Sequence, residues 1–331
     1  MTAPRPLVDE RGRVADDLRI SVTDRCNFRC VYCMPAEGLR WLPRSELLTF
    51  EEITRVAGIL VGTGTRTIRL TGGEPLVRRD VATLVRMLAG LHPDLDLSLT
   101  TNGHLLRRDA PALAAAGLRR VNVSLDSLRA DRFERLARRD ALATVLDGIA
   151  AAREAGLEPV KVNVVVVRGV NDDEVGDFAA YARATGVHVR FIEFMPLDAD
   201  QTWGPDLVVA GDELLEAAET QHRLAPVPNG HDPSTRWRFA DGAPGELGFI
   251  DSVSRPFCAS CNRIRLTADG QLRTCLFSIV ETDLRTPLRS GAGDEEIEQI
   301  IRAAVWRKEE GHRVGKPDFT RPARSMSQIG G

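Results

Sequence analysis

Six cysteines stand in two groups of three: Cys26, Cys30 and Cys33 near the N-terminus, then Cys258, Cys261 and Cys275. Thiols spaced this closely either form disulfides or bind metal. Disulfide scaffolds belong to short secreted chains, whereas this chain has 331 residues and opens on MTAPRPLVDERGRVADDLR, with no apolar leader segment. Structural zinc takes four ligands as a rule, yet each group offers three thiolates and no nearby histidine. One zinc site pooling both groups stays open. Soft thiolates also suit iron–sulfur clusters, which are ordinarily held by four cysteines. Three would leave one iron free to bind a small molecule, as an open catalytic metal position does.

The first group follows Leu18-Arg19-Ile20-Ser21-Val22, whose alternation reads as a strand. Its C-x3-C-x2-C loop thus begins at the C-terminal end of that strand. The run Cys26-Asn27-Phe28-Arg29-Cys30-Val31-Tyr32-Cys33 resembles the signature loop of radical S-adenosylmethionine (SAM) enzymes. The resemblance implies a [4Fe–4S] cluster on Cys26, Cys30 and Cys33, SAM chelated to its fourth iron, and Tyr32 beside the adenine.

The elements that must position this loop alternate strand and helix. Strands are expected at Thr67–Leu70, Leu95–Thr100, Arg120–Leu125, Val160–Val167 and His188–Phe194. Helices are expected near Phe50–Val61, Val81–Ala89, Ala110–Ala116, Ala143–Ala155 and Asp173–Ala184. With the first strand these make six βα units. The strands read as short apolar runs, as in a parallel sheet buried on both faces. The fold class expected is α/β: a partial (β/α)6 TIM-like barrel of the radical SAM type, with a C-terminal α+β module carrying a second Fe–S cluster. Past residue 198 the regularity fades, and Pro226, Pro228, Asn229, Gly230 and Pro233 mark a loop-rich passage. The domains expected are therefore 1–230 and 231–331, the second ending in a Gly-Gly tail.

Parallel α/β sheets bind ligands at the C-terminal ends of their strands. Those ends carry Thr71-Gly72-Gly73-Glu74, Thr100-Thr101-Asn102-Gly103, Ser124-Leu125-Asp126-Ser127 and Glu193-Phe194-Met195-Pro196. Taken alone, they could simply be turns and helix caps. The radical SAM resemblance makes Gly73, Ser124 and Met195 SAM contacts and Thr100 a substrate contact. Lys161 stands apart. Of 44 basic side chains only Lys161, Lys308 and Lys316 are lysine, and Lys161 lies in the apolar run Val160–Val164. A buried lysine is costly without a partner, so it either faces an anionic ligand or marks a strand end turned to solvent.

Around the second cysteine group, Ala268-Asp269-Gly270 suits a three-residue hairpin loop. That register pairs Thr267 with Gln271, Arg265 with Arg273 and Arg263 with Cys275, placing three arginines and a thiolate on one face. A two-residue turn at Asp269-Gly270 would put Arg263 and Arg265 on the opposite face from Cys275. Facing like charges are unfavourable unless an anion lies between them.

This C-x2-C-x13-C module behind a radical SAM core resembles the GTP 3′,8-cyclase family of molybdenum cofactor biosynthesis, across essentially the whole chain and including Gly330-Gly331. The resemblance implies a second [4Fe–4S] cluster on Cys258, Cys261 and Cys275 that binds the guanine of GTP. It places Arg19, Arg69, Thr100, Lys161, Arg190, Arg263 and Arg265 around the nucleotide, with Arg263 and Arg265 taking part in catalysis. It further implies a homodimer, an external electron donor and a downstream cyclic pyranopterin monophosphate synthase. The net charge of −3 argues against nucleic-acid and anionic-membrane partners. No apolar run approaches a membrane span, so a cytoplasmic protein is expected. A peptide-modifying radical SAM enzyme with an auxiliary cluster, or a two-cluster electron carrier, are the alternatives. The first commonly has more C-terminal cysteines, and the second needs neither six βα units nor polar strand ends.

Overall fold

The computed structural model describes residues 5–198, 200–228 and 232–330. The expected boundary at 230/231 and Gly331 lie outside them. In chain order the elements are β1 (Asp17–Ser21), α1 (Phe50–Gly62), β2 (Thr67–Thr71), α2 (Val81–Ala89), β3 (Asp96–Thr101), α3 (Leu106–Ala115), β4 (Arg120–Ser124), α4 (Ala130–Ala137), α5 (Leu142–Glu154), β5 (Lys161–Val166), α6 (Val175–Thr185) and β6 (His188–Glu193). Then come α7 (Gly211–Glu219), β7 (Leu224–Val227), β8 (Thr235–Phe239), β9 (Glu246–Ile250), β10 (Arg263–Leu266), β11 (Gln271–Arg273), β12 (Thr282–Asp283), α8 (Arg285–Arg289), α9 (Asp294–Trp306) and α10 (Met326–Ile329).

One sheet holds all the strands in the order β12-β11-β10-β1-β2-β3-β4-β5-β6-β9-β8-β7. From β10 through β1–β6 to β9 the pairing is parallel, and antiparallel strands finish both edges. The six expected units form the middle of this sheet. The sixth helix is α7, inside the passage that the sequence leaves irregular. It is short and buries only Gly211, Leu214 and Ala218, too few apolar positions for periodicity to show.

Two-sided apolar burial is not what the strands do. Leu18, Ile20, Ile68, Leu70, Leu97, Leu99, Val121, Val123, Val162, Val164, Val189 and Phe191 are buried in the hydrophobic core. Their neighbours in sequence, in lateral register on the other face, are Arg19, Arg69 and Ser98, then Asn122 and Lys161, then Asn163 and Arg190. One face is hydrocarbon, and the other is a polar channel. Runs such as Val162–Val167 hide this alternation because valine stands in both faces of β5.

Candidate active site

The cysteine groups lie at opposite ends of the channel. Cys26 follows the C-terminal end of β1. Cys261 precedes β10, whose first residue, Arg263, is level with the first residue of β1, Asp17. β11 runs back antiparallel, with Arg265 opposite Arg273, and delivers Cys275 to the same end as Cys261. At about 3.3 Å per residue, the five residues of β1 separate the two ends by ~16 Å. All six cysteines are free thiols.

At the upper end, two buried carboxylates organise the loops. Glu74 accepts from Leu76 N (2.9 Å), Thr101 Oγ1 (2.8 Å) and Asn102 N (2.7 Å), while burial pushes its pKa up to about 7. Asp126 accepts from Tyr32 Oη (2.6 Å) and Val165 N (2.9 Å), with its pKa pushed up by burial to about 6. The ring of Tyr32 is therefore anchored to the end of β4. A Cβ on Gly73 would stand 2.3 Å from the carbonyl oxygen of Arg25, and Gly73 N donates to Thr23 O (2.8 Å). Its need for glycine comes from the chain entering the cysteine loop, not from a ligand. Ser124 ends β4 on the channel face beside Asn163. Met195 packs instead against Leu197, Phe277 and Val314, in a small cluster that includes Cys275.

The thiols of this upper group fit a metal cluster. Burial drives Cys26 up to about 11 and Cys33 up to about 12, and it raises Cys30 strongly, with Asp126 adding to the effect. Thiolates here need compensating positive charge, which iron brings, so loading releases protons. Phe28 N (3.4 Å) and Asn102 Nδ2 (3.9 Å) already point at the Cys26 sulfur. Among the described residues no three His, Cys, Asp or Glu side chains converge closely enough for a single metal ion. A four-iron cluster instead spreads its thiolates over separate irons.

Along the channel the cations fall into two classes. Arg120 is paired with Asp96, and Arg190 holds Asp232 through two bonds of 2.8 and 3.0 Å. Arg19, Arg69 and Arg265 form one lateral row, and none of them makes a salt bridge among the described residues. Burial and mutual repulsion push Arg19 well below its usual range. Burial brings Arg69 and Arg265 to about 10. Among the described residues Arg69 Nε donates only to Ser98 Oγ (3.3 Å), and Arg19 Nε has no hydrogen-bond partner. Arg263 is 3.8 Å from Asp17. Lys161 lies on the channel face between Asn122 and His188, its pKa lowered to about 7 by burial, then by Arg190 and Arg120. Thr100 shares that row and accepts from Asn122 Nδ2 (3.4 Å). A buried row of unpaired guanidinium groups is costly unless an anion joins it.

The hairpin has the three-residue loop: Thr267 N donates to Gln271 O (2.9 Å) and Gly270 has φ 82°. Its ladder ends at Arg265–Arg273, so the expected Arg263–Cys275 pair is not formed. Arg273 does not join the anion-seeking row either. It pairs with Glu281 and donates to the carbonyls of Leu276 and Ser278, pinning the loop after Cys275. The C-terminal tail enters the channel: Arg265 Nη1 donates to Gly330 O (2.6 Å), and a Cβ on Gly330 would meet Thr71 Oγ1 at 2.3 Å. Asp17, Glu74, Asp126, Arg120 and Asp232 escaped the sequence reading. For Asp126 and Glu74 the only signal was a carboxylate at a strand end.

Among the described residues no helix is long and apolar enough to cross a membrane. Two family models match: the Radical SAM superfamily over residues 20–182 and Molybdenum Cofactor Synthesis C over residues 187–314. The chain is 53% identical to GTP 3',8-cyclase of Streptomyces coelicolor, over 98% of this chain and 96% of that one. It is 50% identical to GTP 3',8-cyclase of Mycolicibacterium smegmatis, over 99% and 93%. In fold it is similar to Streptococcus suis SuiB bound to S-adenosylmethionine, with a TM-score of 0.62 at 15% identity, covering 94% of this chain and 77% of that chain.

Proposed function

Because the chain belongs to the GTP 3′,8-cyclase family, radical SAM enzymes of molybdenum cofactor biosynthesis, we propose that it converts GTP to (8S)-3′,8-cyclo-7,8-dihydroguanosine 5′-triphosphate. The observation that carries this reading is the unpaired row Arg19–Arg69–Arg265, set in a channel with a cysteine group at each end. Cys26, Cys30 and Cys33 would hold a [4Fe–4S] cluster, which with bound SAM would supply radical chemistry toward the ribose. The protein's own work is placement. Tyr32, Gly73 and Ser124 frame the SAM site at the upper end, and Met195, held in the cluster of Leu197, Phe277 and Val314, completes the SAM contacts of this reading. Cys258, Cys261 and Cys275 would hold a second [4Fe–4S] cluster, which would offer an open iron to the guanine at the lower end.

Between them Arg19, Arg69, Arg263, Arg265 and Lys161 receive the phosphates, where guanidinium forks match phosphate oxygens two at a time. Thr100 and Arg190 line the same cavity, Arg190 with its charge already met by Asp232. Residues 1–230 form the core of this reading and 231–331 the GTP module. The family also supplies its wider setting: a cytoplasmic homodimer, an external electron donor, a cyclic pyranopterin monophosphate synthase taking the product, and no nucleic-acid or membrane partner. Anaerobic incubation of reconstituted protein with SAM, a reductant and GTP tests the proposal. It expects GTP-dependent formation of the cyclic nucleotide together with 5′-deoxyadenosine, and 5′-deoxyadenosine without any change in GTP contradicts it.

A further inference from the structure

Lys308 is a lysine in a chain that meets almost every other need for positive charge with arginine. It follows α9, and only 3% of its surface is exposed. No salt bridge compensates it among the described residues. Its ammonium donates instead to two backbone carbonyls, Arg263 O (2.6 Å) and Thr274 O. Arg263 lies two residues after Cys261, and Thr274 immediately precedes Cys275. The side chain thus ties the start of β10 to the segment leaving β11, the two strands that the second cysteine group flanks. Its charge acts on all three thiols of that group, Cys258, Cys261 and Cys275.

Two neighbours complete the surroundings. Arg13, paired with Asp9, donates to Cys258 O (2.7 Å) and to the carbonyls of Glu309 and Glu310. Glu309 accepts from Thr274 Oγ1 (2.7 Å) and opposes Lys308 at Cys275. A lysine without a carboxylate is expensive to bury, so an anionic neighbour must offset it. Three thiolates on a [4Fe–4S] core of charge +2 leave a net −1, and one-electron reduction makes it −2.

We propose that Lys308 is a positioning residue for the second metal group. It clamps together the two strands that the cysteines flank and supplies the positive charge that stabilises the reduced form. This rests on the reading of Cys258, Cys261 and Cys275 as a cluster site. Hydrogen bonds and charge around a cluster set its potential. Removing a cation disfavours the more negative reduced state, so the midpoint potential moves down. Removing Glu309's charge moves it up.

The test uses the full chain with Cys26, Cys30 and Cys33 changed to Ala, so that only the second group can hold iron. Reconstituted iron content and an EPR-monitored redox titration are measured in this background, then with K308M, K308R or E309Q added. K308M is expected to lower the ratio of reduced to oxidised cluster at a fixed poise about tenfold, ~59 mV for a one-electron couple. K308R keeps the charge and holds the midpoint, and E309Q shifts it the opposite way. If K308M loses its iron, K308R and E309Q decide, and an unshifted E309Q overturns the proposal. Equal midpoints in K308M and its parent overturn it too. If the parent itself takes up no iron, the cluster reading fails, which is a different result from a cluster indifferent to Lys308.

Discussion

The two ends of the channel hold the same number of thiols in opposite electrostatic settings. At the upper end burial raises the thiols and carboxylates add to it, Glu74 at Cys26 and Asp126 at Cys30, with the charge of Arg29 opposing at Cys26. At the lower end Lys308, Arg263 and Arg265 surround Cys261 closely enough to lower its pKa despite burial. Like ligand sets placed in unlike fields suit unlike guests. SAM carries a sulfonium and an ammonium against one carboxylate, and a mildly negative surround tolerates it. GTP carries several negative charges, and at the lower end Asp17 is the carboxylate that faces Arg19, Arg69, Arg263 and Arg265 together.

Breaking one end and then the other should separate these roles. The largest effect is expected for Cys30→Ala, which removes a ligand of the SAM-bearing cluster. Formation of 5′-deoxyadenosine should fall to background with or without GTP, and chromatography of the quenched reaction reads it. Cys275→Ala should abolish cyclisation while leaving some SAM cleavage uncoupled from GTP. If cleavage vanished there as well, the two ends would not be separable.

Arg265→Ala comes next. Losing a charge-assisted contact costs about 1.5–3 kcal/mol, or roughly ten- to a hundredfold in affinity. Calorimetry should show the loss for GTP and a much smaller one for guanosine. Equal losses would make Arg265 a structural clamp on Gly330. Lys161 gives a smaller effect with a defined sign. With its pKa near 7, the free protein is partly neutral there at physiological pH, and an anion binds the charged form. Affinity for GTP should therefore fall as pH rises above about 7, with proton uptake on binding. Lys161→Met should weaken binding and flatten that pH dependence. A proton uptake unchanged by Lys161→Met would assign the titration elsewhere. Smallest is Tyr32→Phe, which deletes the bond to Asp126 yet keeps the ring. It should raise the KM for SAM a few-fold with little change in GTP affinity.

Much of this was legible from residues alone. The cysteine spacing, the six βα units, the three-residue hairpin loop and the oddity of Lys161 are all local features, and the structure has each where its sequence places it. What could not be read depends on distant partners. Parallel pairing of β10 with β1 joins residues some 245 apart in sequence, and only that pairing sends the second cysteine group to the end opposite the first. The hairpin register puts Arg273 on one face with Arg263 and Arg265, and only the fold shows that Glu281, eight residues on, takes its charge. The polar channel was hidden for a different reason: β5 places valine on both faces, which masks the alternation that Leu18–Val22 shows openly.

The central claim is that the ribose of GTP lies between the two ends, within reach of the radical generated at the upper one. GTP deuterated at the ribose 3′ position tests it in a single turnover under anaerobic conditions. The 5′-deoxyadenosine formed is expected to carry the deuterium, and the cyclic nucleotide to have lost it. Deuterium retained in the nucleotide, beside unlabelled 5′-deoxyadenosine, would contradict it.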